Sequence, residues 1–370
     1  MKTVYLDYAA TTPVLPEVQA AVRRHLADFG NPSSLHLFGR AALRLVDTAR
    51  AQIAELINAD PSEIYFTSGG TESNNTIVQA FRDAKVLTSA IEHPSVLEPA
   101  LALPHQAILP VQSDARIDLK DFTHTVKQER PALVSIMLAN NELGTIQDIK
   151  QLATIAHQAG ALFHTDAVQA LGKIPIDVEA LGVDFMTISA HKIGGLKGIG
   201  ALYIKKGTAR PRALLLGGHQ ERKFRAGTQN TLGIIAFGVA AKQADPAKYQ
   251  KVAKLRDHLK ARITAEIPDI TINGNQEHLL PNLLNVSFAG AEGESTLAHL
   301  DLSGVAVSTG SACALGFPSH VLQAINKDPV LAHNSVRFSL GLDTTQTDLD
   351  FAIDELKKTI NILRSYTSEQ

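Results

Sequence analysis

Two stretches near the start of the chain, residues 16–28 and 40–57, repeat apolar positions at helical spacing; in the second, Leu43, Val46, Ile53, Leu56 and Ile57 fall near one face. Both predict amphipathic packing helices. After Asp60-Pro61 the pattern changes to short apolar runs at 63–66, 85–88, 132–139, 161–165, 184–189 and 200–206, most of them alternating with helix-like segments. Continuous apolar runs of strand length separated by helices predict an α/β fold, a mostly parallel, doubly wound sheet covered on both faces. Ligands then belong at the carboxyl ends of the strands. From about Pro246 the texture shifts to a charged helix ending near Ala265, strands near 269–272 and 283–288, and a long final helix from about Thr345. The chain therefore divides into a large domain over 16–247 and a smaller α+β domain made of 1–15 and 248–370.

Composition narrows the function more than the fold. With 35 basic and 37 acidic residues spread along the sequence and a net charge of −2, the chain has no electrostatic reason to bind polyanions, so direct nucleic-acid binding is not expected, and the basic run Lys205, Lys206, Arg210, Arg212 reads as a solvated loop. The opening MKTVYLDYAATTP lacks an apolar signal core, and no stretch approaches the roughly 18 to 20 apolar residues that span a bilayer, so no membrane partner and a cytoplasmic location are expected. A single cysteine, Cys313, rules out an intrachain disulfide or a multi-cysteine metal site. It is either an apolar filler or a reactive thiol, and composition alone favours the filler.

Candidate chemistry gathers where the strands end. Thr67-Ser68-Gly69-Gly70-Thr71-Glu72-Ser73 follows one strand and opens a helix, so backbone N–H groups and hydroxyls form a cup for a phosphate. Asn140-Asn141-Glu142, His164-Thr165-Asp166-Ala167-Val168-Gln169 and Ser189-Ala190-His191-Lys192 follow three more. Each has a plainer reading as a turn, a helix cap or a loop lysine. Together they match what pyridoxal phosphate requires: a phosphate cup, a carboxylate (Asp166) for the pyridine nitrogen and an amine (Lys192) for a Schiff base. His93, in Glu92-His93-Pro94, is a candidate to stack on the ring and move protons.

With these residues in place the sequence resembles the class V, fold type I pyridoxal-phosphate transferases, and among them the cysteine desulfurases of the NifS and IscS type. The resemblance runs through YLDYAATTP (5–13), NPSSLH (31–36), TSGGTESNN (67–75), EHPSV (92–96), ANNELGTIQ (139–147), HTDAVQ (164–169), SAHKIGGLKGIGALY (189–203), RAGTQN (225–230), STGSAC (308–313) and SVRFSLG (335–341). It implies Lys192 as the Schiff-base lysine, Asp166 on the pyridinium nitrogen, His93 on the ring face and Gln169 on the phenolic oxygen. Gly70, Thr71, Ser189 and His191 would hold the phosphate, with Thr228 reaching in from the second subunit of a homodimer. Asn141 would contact cofactor or substrate, Arg337 would pair with the substrate carboxylate, and Asn31 would help position the same amino acid.

The resemblance also reweighs Cys313. It sits among small residues, Ser308 to Gly316, in a segment that suits a mobile, exposed thiol, so it is expected to take sulfur from L-cysteine as a persulfide while alanine leaves. The usual acceptors in the family are iron–sulfur scaffolds and tRNA-thiolating enzymes. Two departures stand out: IGGLKG after the lysine, where a tyrosine and a proline are usual, and a slightly short Cys313 to Val321 segment. A selenocysteine lyase is the nearest enzymatic alternative. A related aminotransferase or lyase would have no need of the thiol.

Overall fold

The structure is a computed structural model that describes residues 2–310, 319–325 and 328–367. Its strands, in chain order, are β1 (Val4–Tyr5), β2 (Ile64–Thr67), β3 (Val86–Ser89), β4 (Gln106–Leu109), β5 (Leu133–Ser135), β6 (Leu162–Asp166), β7 (Phe185–Ser189), β8 (Gly200–Ile204), β9 (Ile270–Asn273), β10 (Leu283–Phe288), β11 (Val305–Ala306) and β12 (Ser335–Ser339). Seven of them form one sheet in the order β2-β8-β7-β6-β5-β3-β4. The expected α/β sheet is present, and β8 alone runs against both of its neighbours. The reason is the connection. Residues 190–199 between β7 and β8 hold only one short turn of helix, too little for the crossover of a dozen or more residues that a parallel return needs.

Differences in detail have local causes. The apolar run 132–139 is strand over Leu133–Ser135, yet its ladder continues, because Ile136 N and Leu138 N still donate to His164 O and Asp166 O at 3.0 and 2.9 Å. The edge strand β4 is half-buried except at Leu109 and lacks an apolar run, so no strand was expected there. The two early helices are Pro16–His25 and Leu37–Leu56. In the second, Val46, Ile53 and Ile57 are buried as expected, whereas Leu43 is 40 % exposed and leaves the core-facing stripe.

Helix Thr231–Gln243 packs against both of these helices. It is apolar on nearly every side, and at Gly238 a Cβ would lie 2.6 Å from Ala49 Cα, so the two backbones approach too closely for any side chain. Arg50, 7 % exposed on helix Leu37–Leu56, makes two parallel bonds to Glu221 at 2.8 and 2.9 Å. Glu221 also accepts from Phe66 N at 2.9 Å and from Gln229 at 2.9 Å. Burial opposes ionisation of this carboxyl, but the guanidinium outweighs it and holds the carboxyl below its ordinary range. The pair pins a segment whose residues Glu221, Arg222 and Lys223 all have left-handed φ values of 44, 56 and 65°.

A second apolar core brings Val4 and Leu6 together with Tyr249, Val252, Phe288, Phe338, Ile353 and Leu356. Here β10 lies antiparallel between β9 and β12, while β1 pairs with β11. Leu280, Leu283, Val321, Leu322, Ile325 and Ala332 pack instead with the first core, so the two are interleaved in sequence. Among the described residues no helix is long and apolar enough to cross a membrane.

Candidate active site

A cavity of ≈ 270 Å³ opens at the carboxyl ends of β6 and β7 and at the start of helix Gly70–Ala80. Gly70 and Thr71 form one wall; Gly69, the cap residue, has no side chain to cover the helix N-terminus, whose partial positive charge suits an anion. Ser189 and His191 flank the same wall from the end of β7. Burial, with Lys192, Lys197 and Lys173 nearby, pushes the His191 imidazole down to about 4, so it is neutral. Its Nδ1 lies 3.2 Å from Thr11 Oγ1.

Asp166 closes β6 and is 6 % exposed. Its Oδ1 accepts from Val168 N at 2.9 Å and its Oδ2 from Asn74 Nδ2 at 2.7 Å. The same Asn74 amide donates to Ser95 Oγ at 2.9 Å, Ser95 Oγ lies 2.7 Å from His93 Nδ1, and Ser95 N donates to that Nδ1 at 3.1 Å. A chain of side chains therefore joins the carboxylate to the imidazole. His93 caps helix Pro94–Leu101 through that Nδ1, which fixes the tautomer with its proton on Nε2. Burial lowers the imidazole's pKa; Asp166 opposes this, while Lys192 and His320 add to it.

Lys192 ends the short turn Ala190–Lys192 beyond β7, and its Nζ donates to Ala9 O and, at 2.8 Å, to Ala10 O. Gly194 keeps this turn tight: φ is +84° and a Cβ would lie 2.4 Å from Leu15 Cγ. Gln169 also lines the cavity, its Nε2 donating to Ala9 O at 2.9 Å. Asn141 stands on the cavity wall with a buried Oδ1 that has no partner.

Nine of the expected residues thus share one cavity: Gly70, Thr71, His93, Asn141, Asp166, Gln169, Ser189, His191 and Lys192. The others lie elsewhere. Thr228 is exposed, in a separate pocket beside Ser68 and Arg225. Asn31 is exposed and turns its Oδ1 to Ser33 N at 2.9 Å. Arg337 is 3 % exposed, so it is no surface ion pair; it bonds Asp7 at 2.9 Å and Asn141 O at 3.0 Å, and its Nε is buried without a partner. Cys313 lies outside the described residues. The residues on either side of that segment meet at one carboxyl, since Ser319 Oγ donates to Glu142 Oε2 and a Cβ on Gly310 would lie 2.5 Å from the same atom.

Asn74 and Ser95 line the same cavity although the sequence singled out neither. Asn74 had a signal: it follows Gly70 by four residues on one helix and so shares its face.

The cavity suits pyridoxal phosphate. A carboxylate and a lysine amine line it together, an uncapped helix start and a serine hydroxyl offer donors for a phosphate, and the Asn141 Oδ1 is an acceptor left over for a ligand donor.

Comparison with known proteins gives the same answer. The Aminotransferase class-V family matches residues 4–351. A cysteine desulfurase IscS from Dictyoglomus turgidum is 47% identical over 380 residues, covering 98% of this chain and 96% of that protein. A cysteine desulfurase from Nostoc is 42% identical over 99% of this chain and 94% of its own length. Among solved structures, a NifS-like protein from Rickettsia africae superposes with a TM-score of 0.92 at 35% identity, covering 97% of this chain and 100% of that one. A structure described as SspA in complex with cysteine gives 0.81 at 32% identity, covering 91% and 99%. The chain belongs to the class-V aminotransferase family, whose enzymes use pyridoxal phosphate, and within it to the cysteine desulfurases of the IscS and NifS type.

Proposed function

We propose that this cavity binds L-cysteine beside pyridoxal phosphate and that the cysteine's sulfur passes to the thiol of Cys313. The observation that carries the reading is the meeting of Asp166, Lys192 and His93 in one cavity. When bound, the cofactor draws electrons away from the substrate's α-carbon. Lys192 supplies the amine that anchors the cofactor and, when free, the base that takes the α-proton. Asp166, steadied by Val168 N and Asn74, keeps the pyridine nitrogen protonated. His93 presents Nε2–H for proton handling, and Gln169 has a second Nε2–H for the ring oxygen. Gly70, Thr71, Ser189 and the neutral His191 hold the phosphate, joined by Thr228 from the second subunit of a homodimer.

Arg337 receives the substrate carboxylate through its free Nε edge, with Asn141 and Asn31 positioning the amino acid. The S–S bond at Cys313 forms as the cysteine's C–S bond breaks. The bonding electrons return to the three-carbon fragment, which leaves as alanine. A sulfur-acceptor protein, such as an iron–sulfur scaffold or a tRNA-thiolation enzyme, then discharges the persulfide.

The test is incubation of the purified, cofactor-loaded protein with L-cysteine, followed by alanine assay and mass spectrometry. Alanine equal to transferred sulfur, with one added sulfur on the Cys313 peptide, is the expected result. A keto acid, or alanine without modified Cys313, would overturn it.

A further inference from the structure

Beneath Gln169 lies a second lysine that the reaction scheme does not use. Lys173, in the turn after β6, is 2 % exposed, among the largest fully buried side chains of the protein. Its Nζ donates to Gln169 O at 2.7 Å and to Gln169 Oε1 at 3.3 Å. Gln169 Nε2 in turn donates to Ala9 O at 2.9 Å, and Ala9 O also accepts from Lys192 Nζ. Lys173, Gln169, the Ala9 carbonyl and Lys192 therefore form one continuous hydrogen-bonded chain along the cavity floor.

Both of these Lys173 bonds end on neutral oxygens, and among the described residues no carboxylate forms an ion pair with its amine. A buried ammonium without an anion is costly, and a methionine or leucine would fill the same space without that cost. Burial, with the like charge of Lys192, pushes this amine down to about 7. A group so placed gains most when an anionic oxygen enters nearby. The ring of pyridoxal phosphate carries such an oxygen.

We infer that Lys173 is a positioning residue for the reaction: it holds the Gln169 amide with oxygen inward and N–H toward the cavity, and it sets positive charge against the cofactor's ring oxygen. This rests on the assignment of the cavity to pyridoxal phosphate. Lys173 acts through Gln169 and touches neither substrate nor reacting atoms. Its removal frees the Gln169 amide and takes away a cation that disfavours a proton on the nearby Lys192–cofactor nitrogen.

The experiment is a pH titration of the bound cofactor's visible absorption in wild type, K173M and K173Q, the last retaining a donor while removing the charge. Both variants should load cofactor yet change colour at a midpoint higher by about one pH unit, with K173Q keeping a larger share of wild-type turnover. If K173M does not fold, K173Q alone decides. A variant that loads cofactor and titrates at the wild-type midpoint overturns the inference, even if it is less stable. Absence of cofactor absorption in the wild type would instead refute the cavity's assignment, so the two failures are separable.

Discussion

Replacing Glu92 by glutamine should make the protein's stability less sensitive to pH. Glu92 is fully buried beside His93; its Oε1 accepts from Ser89 Oγ and, at 3.0 Å, from Met137 N, and its Oε2 has no partner. Burial raises this carboxyl to about 8, with Asp166 adding to the rise against the two hydrogen bonds. The folded protein therefore keeps a proton that the unfolded chain releases near its ordinary value of 4.5. The stability linked to that proton is fully present below the unfolded pKa and is lost as pH rises toward the folded one. Over the whole interval the loss is roughly 5 kcal/mol, at about 1.4 kcal/mol per pH unit. E92Q keeps both hydrogen bonds to its amide oxygen and does not titrate, so its stability relative to wild type should improve by roughly 3 kcal/mol between about pH 5 and about pH 7.5. Urea unfolding of both cofactor-loaded proteins across that range measures the gap, and the protonated-carboxyl infrared intensity that wild type shows in excess of E92Q identifies the group, since buried Glu142, raised to about 7, contributes to both. A gap that stays constant within about 1 kcal/mol would refute a neutral Glu92.

Three further outcomes follow. Borohydride treatment should fix the cofactor's mass on the peptide bearing Lys192 in the wild type and on no lysine in K192A; fixation elsewhere would reassign the anchoring amine. C313S should retain the cofactor and its colour while producing no persulfide, and undiminished alanine formation would remove Cys313 from the reaction. R50M leaves Glu221 buried without its partner and should cost about 3–5 kcal/mol, read as a lower unfolding midpoint, whereas an unchanged midpoint would show that the pair does not pin residues 221–223.

The sheet was legible because its central strands are buried on both faces and write that burial as short, mostly apolar runs, as in Gly200–Ile204. Strand β4 left no such mark because it lies at the edge, and helix Thr231–Gln243 left none because burial on nearly every side erases the amphipathic period. Asp166 and Lys192 could be read because, although each alone has a plain reading as a cap or a loop lysine, they stand with a glycine-rich phosphate cup at the ends of neighbouring strands. Ser95 and Lys173 could not. Ser95 takes its meaning from Asn74, 21 residues away and brought to it by the fold, and Lys173, only four residues from its partner Gln169, from a burial that no local pattern records. The bond between Arg337 and Asp7 joins residues 330 positions apart, beyond the reach of any local pattern.

That same separation sets a timetable for synthesis. Ala9 and Ala10, the acceptors for Lys192, are held by a segment in which Asp7 bonds Arg337 and Ala9 N donates to Ser339 Oγ at 2.8 Å, again across 330 residues. The first piece of the cavity floor to leave the ribosome must therefore wait for Arg337 and Ser339. At roughly 5–20 residues per second that interval is on the order of tens of seconds, during which the large sheet can form while the cofactor cavity lacks its floor. A nascent chain stalled before β12 should accordingly hold folded strands and yet fail to retain pyridoxal phosphate.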